Sequence, residues 1–305
     1  MGIYRGIRKI IGFKIIDFKN IGFAVSRAIV TGVSACVIAT ALTAAPVQAK
    51  DDRTVSLDYT IHVGGFETMR VSFNTALSAT NYKMKMALDG QGVLDWWFSM
   101  RMSAFSEGRL AGGAFVPVRA GADSAWNGEQ RQIRLSYVDG GPPTTVIKPS
   151  ADDDDRDVVP PNLRADARDL AGAVLAGLAQ LNGRLDKNGG CTVREAVFDG
   201  RRRYNLVLAH LGQDIIERND YSAFSGAALR CSVKIERIAG FRRKPSRLKW
   251  RTSDGATLWI GQVFAKFPPV PVRIEMDTVL GGLRVHLVRA TLKEGTKIRH
   301  LAAAH

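Results

Sequence analysis

The sequence predicts a mainly β fold: an antiparallel meander forming a strongly curved sheet or open barrel, with one amphipathic helix against it. Three observations carry this prediction. Apolar residues recur with period two along most of the chain, the signature of half-buried strands. Turn dipeptides that supply positive φ fall between many of these runs, as in hairpins. Only one segment switches to a helical period.

The strands follow in order. "TVSLDYTIHV" sets Val55, Leu57, Tyr59, Ile61 and Val63 on one face, with Thr54, Ser56, Asp58, Thr60 and His62 on the other. "YKMKMAL" opposes Tyr82, Met84, Met86 and Leu88 to Lys83 and Lys85, and "FSMRMSA" continues through Phe98, Met100 and Met102. Later sets are Ile133, Leu135, Tyr137; Tyr204, Leu206, Leu208; Leu229, Cys231, Val233, Ile235; Val272, Ile274, Met276; and Leu283, Val285, Leu287. Gly64-Gly65, Asp89-Gly90, Asp139-Gly140, Asp199-Gly200 and Gly281-Gly282 mark tight turns. One apolar face per strand must be covered, by curling or by packing against another element.

The helical period lies in "LRADARDLAGAVLAGLAQLNG", residues 163–183. Leu170, Val174, Leu178 and Leu181 form a stripe flanked by Ala167, Ala171 and Leu175. Pro160-Pro161-Asn162 reads as its start and Asn182-Gly183 as its end. Gly172 and Gly177 each weaken it by about 1 kcal/mol relative to alanine, yet small residues let a helix lie close to a sheet. Two readings stand side by side: a plug or lid on the concave face, or an ordinary helix capping a core.

Ahead of the strands lies an export pattern. Residues 1–27 carry six basic side chains against one acid, Asp17; an uncharged run spans 28–45; and "VQA" precedes the charged "KDDR". These features describe a signal peptide, residues 1–49, cleaved before Lys50. Retention of residues 28–45 as an inner-membrane anchor is the alternative, since the run is near the length of a span. Residues 50–293 are expected to form a single β domain, and residues 294–305 a flexible tail holding His300 and His305.

The full chain of 305 residues has a net charge of +14. Without residues 1–49 it remains strongly basic. Export argues against nucleic acid as the partner of this charge and favours an anionic membrane surface or an acidic protein. Of three cysteines, Cys36 lies in the export segment, which leaves Cys191 and Cys231 as an even pair in an oxidising compartment. One disulfide closing their loop contributes about 3–4 kcal/mol on the loop-entropy account.

The richest chemistry lies in "CTVREAVFDGRRRYNLVLAHL", residues 191–211. Asp199-Gly200 marks a hairpin, and Cys231 shares a face with Leu229, Val233 and Ile235, so the sulfurs read as a structural strut. Arg201 and Arg203 share a strand face, either as an anion clamp or as a solvated edge that discourages aberrant pairing. His210 follows Tyr204, Leu206 and Leu208 and is expected to be packed. "FRRKPSRLKWR", residues 241–251, supplies further cations: Arg242, Arg243, Lys244, Arg247 and Lys249. These suit an anionic membrane surface or a solvated loop. The acidic "ADDDDRD" lacks the spacing of a calcium loop. Trp96-Trp97-Phe98 reads as core, and His286 as part of a cross-strand charge pair with Glu275 or Asp277.

No hydrolase elbow, Walker loop, dinucleotide fingerprint or HExxH motif occurs, so no catalytic, cofactor or metal residues are assigned and the chain is expected not to be an enzyme.

Particular stretches carry a resemblance: "YTIHVGG"; "FSEGRL" leading to Phe115-Val116-Pro117; and, most specifically, "VFDGRRRYNL" bracketed by Cys191 and Cys231. In these the chain resembles the bacterial family catalogued as domain of unknown function 3108, over roughly residues 55–290. The resemblance implies an exported envelope protein of mostly antiparallel β structure and implies no reaction. The expected function is non-catalytic: periplasmic binding of an apolar or amphipathic envelope ligand, such as a lipid, or of an envelope protein partner. A scaffold with a filled interior, or a hydrolase with a site assembled from distant strands, are the alternatives.

Overall fold

The computed structural model describes residues 52–92, 100–126, 128–138, 141–150, 155–185, 189–243, 255–265, 267–278 and 281–303. The export segment, Trp96-Trp97-Phe98, most of the acidic run, Lys244, Arg247, Lys249 and His305 lie outside the described residues.

Period-two alternation becomes fourteen strands in one antiparallel sheet among the described residues. They are β1 (Arg53–Val63), β2 (Phe66–Leu77), β3 (Asn81–Gly90), β4 (Met100–Ala111), β5 (Ala114–Trp126), β6 (Glu129–Ser136), β7 (Thr144–Lys148), β8 (Val193–Phe198), β9 (Arg203–Ile216), β10 (Gly226–Ala239), β11 (Ala256–Gly261), β12 (Val270–Thr278), β13 (Gly281–Glu294) and β14 (Lys297–Ala302). The order is β7-β6-β5-β4-β3-β2-β1-β13-β12-β11-β10-β9-β8, with β14 on β13. Two meanders are thus joined through β1 and β13. The strands adjacent in sequence across the helix, β7 and β8, do not pair, so the sheet is not closed into a barrel.

The single α-helix among the described residues, α1 (Leu170–Gln180), belongs to the connection between those unpaired edges. It starts later than Pro160-Pro161-Asn162, which instead leads into a 3-10 turn at Pro161–Leu163. Asp169 is the N-cap: its backbone is extended and its Oδ1 accepts from the Gly172 N–H at 3.0 Å. That satisfies one of the orphan donors at a helix start. Arg168, the residue before the cap, runs beside β8: its N–H donates to Ala196 O, and the Phe198 N–H donates to its carbonyl. The end of β8 around Val197 is therefore paired with the same segment that launches α1.

The buried side of α1 also differs from the expected leucine stripe. Gly172, Ala173, Ala176 and Gly177 are buried, whereas Leu170 is exposed. A Cβ at Gly177 would sit 3.2 Å from Val193 Cγ1, tighter than ordinary contact. Close approach to β8 thus selects the small-residue face, and the leucines flank it.

Residues 294–303 do not form the expected loose tail. Gly295, with φ of 58°, turns the chain, and β14 pairs with β13 from Arg289↔Ala302 to Glu294↔Lys297. β12 pairs with β13 only as far as His286, so the later stretch of that edge is free for β14.

A main core gathers Val55, Tyr59, Ile61 and Val71 with Val270, Val272, Leu287 and Leu292. A second cluster surrounds the sulfurs: Leu181 after α1, Val193, Leu208, Leu229, Leu258 and Ile260 pack with Cys191 and Cys231. Those sulfurs are 2.01 Å apart and tie the approach to β8 onto β10.

Candidate functional site

Strand register defines the sheet face that carries α1. One row across seven strands reads Val55, Thr75, Met84, Ser106, Ala120, Leu135, Thr145. All but Thr145 are buried. The next row on the same face reads Leu57, Phe73, Met86, Ala104, Ala122, Ile133, Ile147. Every one of these seven apolar residues is only half-buried. A third row runs Tyr59, Val71, Leu88, Met102, Ser124, Arg131. It passes from buried at β1 to exposed at Arg131.

Beside this surface, buried polar groups fasten α1 to the sheet. Ser106 Oγ donates to Asp169 Oδ2 at 2.9 Å, and Tyr82 Oη lies 3.1 Å from Ser106 Oγ. Burial raises the Asp169 carboxyl above the usual aspartate range, against the lowering effect of the Gly172 and Ser106 hydrogen bonds. Burial pushes the Tyr82 phenol up to about 12, opposed by the Ser106 hydrogen bond. Burial, with Asp169 nearby, also raises Tyr137. A second group stands alongside: Arg168 Nη1 donates to Glu195 Oε2 at 2.9 Å, Gln180 Nε2 to Glu195 Oε1 at 2.5 Å, and Arg168 Nε to Phe115 O at 3.0 Å. Ser106 is 0 % exposed. The pair has the donor and acceptor types of a nucleophile and a base, but this burial gives substrate no route to the hydroxyl.

The arginines are placed differently from one another. Arg203 departs from the expectation: it is buried and donates to Leu163 O, Tyr204 O and Asn205 Oδ1, so it is neither a solvated edge nor a surface anion contact. The segment around Leu163 covers it, and its guanidinium satisfies carbonyls that burial would otherwise leave without partners. Arg202, not singled out from the sequence, pairs with Asp199 at 2.7 Å and lies over the rings of Tyr204 and Phe241. Arg201 donates its backbone N–H to Asp199 Oδ1 at 3.0 Å. Arg243 lies 3.7 Å from both Asp155 and Asp157, and the backbone at Arg242 pairs in an isolated antiparallel β-bridge with that at Arg156. The hairpin and its neighbour thus use part of their charge internally.

His210 is exposed rather than packed, with Nδ1 3.7 Å from Cys191 Sγ. Glu275 engages Arg273 and Arg284, leaving His286 outside the expected charge pair. Burial, then Arg273 and His62, lowers the His286 imidazole to about 4. Among the described residues no group of three His, Cys, Asp or Glu side chains is arranged to hold a metal, and no helix is long and apolar enough to cross a membrane.

The half-buried row was only partly visible in the sequence. Met86 and Ile133 belong to alternating runs. Ala104 and Ala122 do not stand out, because β4 and β5 present small residues inward. The alternation of Ala120, Ala122 and Ser124 with Arg119, Gly121 and Asp123 was the available signal.

No curated protein matches the chain. Among solved structures, it is similar to a β-barrel-like protein of domain of unknown function DUF1849 from Brucella abortus. The two share 9 % identity over 81 % of this chain and 99 % of that one, with a TM-score of 0.41. The family described as "Protein of unknown function (DUF3108)" matches residues 58–288, from within β1 to within β13. That span includes both meanders, α1 and both disulfide cysteines, and the chain belongs to this family.

Proposed function

We propose that the protein is a non-catalytic, exported envelope protein that binds an amphipathic ligand with a hydrocarbon chain along the half-buried row. The carrying observation is that row: seven apolar residues from Leu57 to Ile147, beside a buried row and on the face that holds α1. Six inter-strand steps of about 4.8 Å give it a span of roughly 29 Å, measured along the sheet. Each methylene that leaves water there contributes about 0.8 kcal/mol. Met86, and Met102 in the next row, add flexible side chains that fit chains of varied shape.

Arg131 supports an anionic head group. It stands one row beyond Ile133 on the same face and is exposed. A phosphate or carboxylate there could pair with its guanidinium while the chain follows the apolar row. The paired cysteines agree with an oxidising compartment.

Mass spectrometry of organic extracts tests this reading, using protein purified from its native envelope. The expected result is a stoichiometric amphiphile that is absent from a control envelope protein prepared the same way. Protein recovered with no bound amphiphile would contradict it.

A further inference from the structure

On the opposite face of the sheet three rings meet outside any function described above. His62 lies on β1, His286 on β13, and Tyr221 on the loop joining β9 to β10. Their ring centres are 5.9 Å apart for His62–His286, 6.1 Å for His62–Tyr221 and 6.1 Å for Tyr221–His286. A point equidistant from all three lies about 3.5 Å from each centre. A divalent metal bound at about 2.0–2.1 Å to an imidazole nitrogen stands a little over 3 Å from that ring's centre. The spacing of the two imidazoles is therefore of the size that sharing one ion requires.

The surroundings are compatible with such a role. His62 Nδ1 is buried and has no hydrogen-bond partner. Tyr221 is held over the pair because the Asn219 side chain accepts its N–H at 3.0 Å and the Ala223 N–H donates to Leu287 O at 2.7 Å. Tyr221 is 64 % exposed and both imidazoles are half-buried, so the cluster lies at the protein surface. The adjacent guanidinium groups of Arg273 and Arg284 both engage Glu275, and Glu67, directly across from His62, pairs with Arg70. These carboxylates offset part of the cationic charge an incoming ion would meet.

We infer that His62 and His286 form a two-imidazole site for a borderline divalent transition metal, roofed by Tyr221 and completed by water. Copper(II) is the suitable probe, since nitrogen ligands bind it most tightly among the first-row divalent ions.

The test is a Cu²⁺ titration of tag-free exported protein, read by calorimetry and by nitrogen hyperfine structure in electron paramagnetic resonance. Wild type should bind one ion with a two-nitrogen signature. His62→Gln and His286→Gln should each weaken that site at least about tenfold, and the double variant should abolish the signature. Circular dichroism and melting of the Gln variants verify the fold, and Tyr221→Phe should keep the two-nitrogen spectrum. Wild type and double variant binding Cu²⁺ alike would overturn the inference, because any remaining site would then lie elsewhere. Absence of copper binding by folded wild type would also overturn it.

Discussion

Ser106 on β4 donates a hydrogen bond to Asp169, the residue that caps α1, across 2.9 Å of buried interior. One carboxylate thereby performs two tasks. Its Oδ1 satisfies the Gly172 N–H at the helix start, and its Oδ2 satisfies the sheet hydroxyl. Asp169→Ala removes both interactions and should destabilise the protein by about 2–4 kcal/mol, combining a lost cap with an unpaired buried hydroxyl. Asp169→Asn should keep most of that stability, because its carbonyl still caps and its amide can face Ser106. Urea unfolding of the two variants checks the contrast; equal losses would show that the cap and the Ser106 bond do not govern the position.

Acidity should separate wild type from Asp169→Asn. Burial raises the folded carboxyl above its unfolded value, which is near 3.9. The associated stabilisation is complete below the unfolded value and is lost as pH rises through the folded one. The stability of Asp169→Asn relative to wild type should therefore increase from pH 4 toward neutrality. Paired urea titrations across that window measure it, and a difference that shrinks with rising pH would reverse the assigned sign.

The Cys191–Cys231 bridge closes a separation of 40 residues within the cluster around Leu181 and Leu229. Replacing both cysteines by alanine should cost about 3–4 kcal/mol. Denaturant midpoints with and without reductant should show the same loss in wild type and none in the double variant. Two free thiols in denatured wild-type protein isolated without reductant would refute the bridge.

Gly108 is demanded by space. A Cβ there would collide with Val116 O and fall 2.8 Å from a Tyr82 ring carbon. Gly108→Ala should displace β5 or the Tyr82 ring and cost about 1–3 kcal/mol. Thermal melting reads the loss, and an unchanged midpoint would mean that the strands can part without penalty.

Much of this architecture was legible because period two survives wherever the inward side chains are large, as in Val55 to Val63 and Tyr82 to Leu88. It faded in β5, where Ala120, Ala122 and Ser124 face inward and no hydrophobic contrast marks them. The helix boundary was misplaced because Pro160-Pro161-Asn162 is a sound local start signal. Asp169 prevailed through a partner on β4, 63 positions away in sequence, and local chemistry cannot reveal such a contact. Arg203 has the same cause: an arginine beside a turn looks solvated until the segment around Leu163 folds across it. β14 was missed because "KIRHLA" is short and mostly exposed, and only the unpaired edge of β13 makes it a strand.

The most direct test of the ligand-binding account is equilibrium binding of a fluorescent long-chain fatty acid to wild type, Ala122→Trp and Arg131→Gln. Wild type should bind with one-to-one stoichiometry. The tryptophan at residue 122 should fill the middle of the row and remove most of that binding, while Arg131→Gln should weaken it and reduce its dependence on salt. Failure of folded wild type to bind, or equal binding by wild type and Ala122→Trp, would contradict the account.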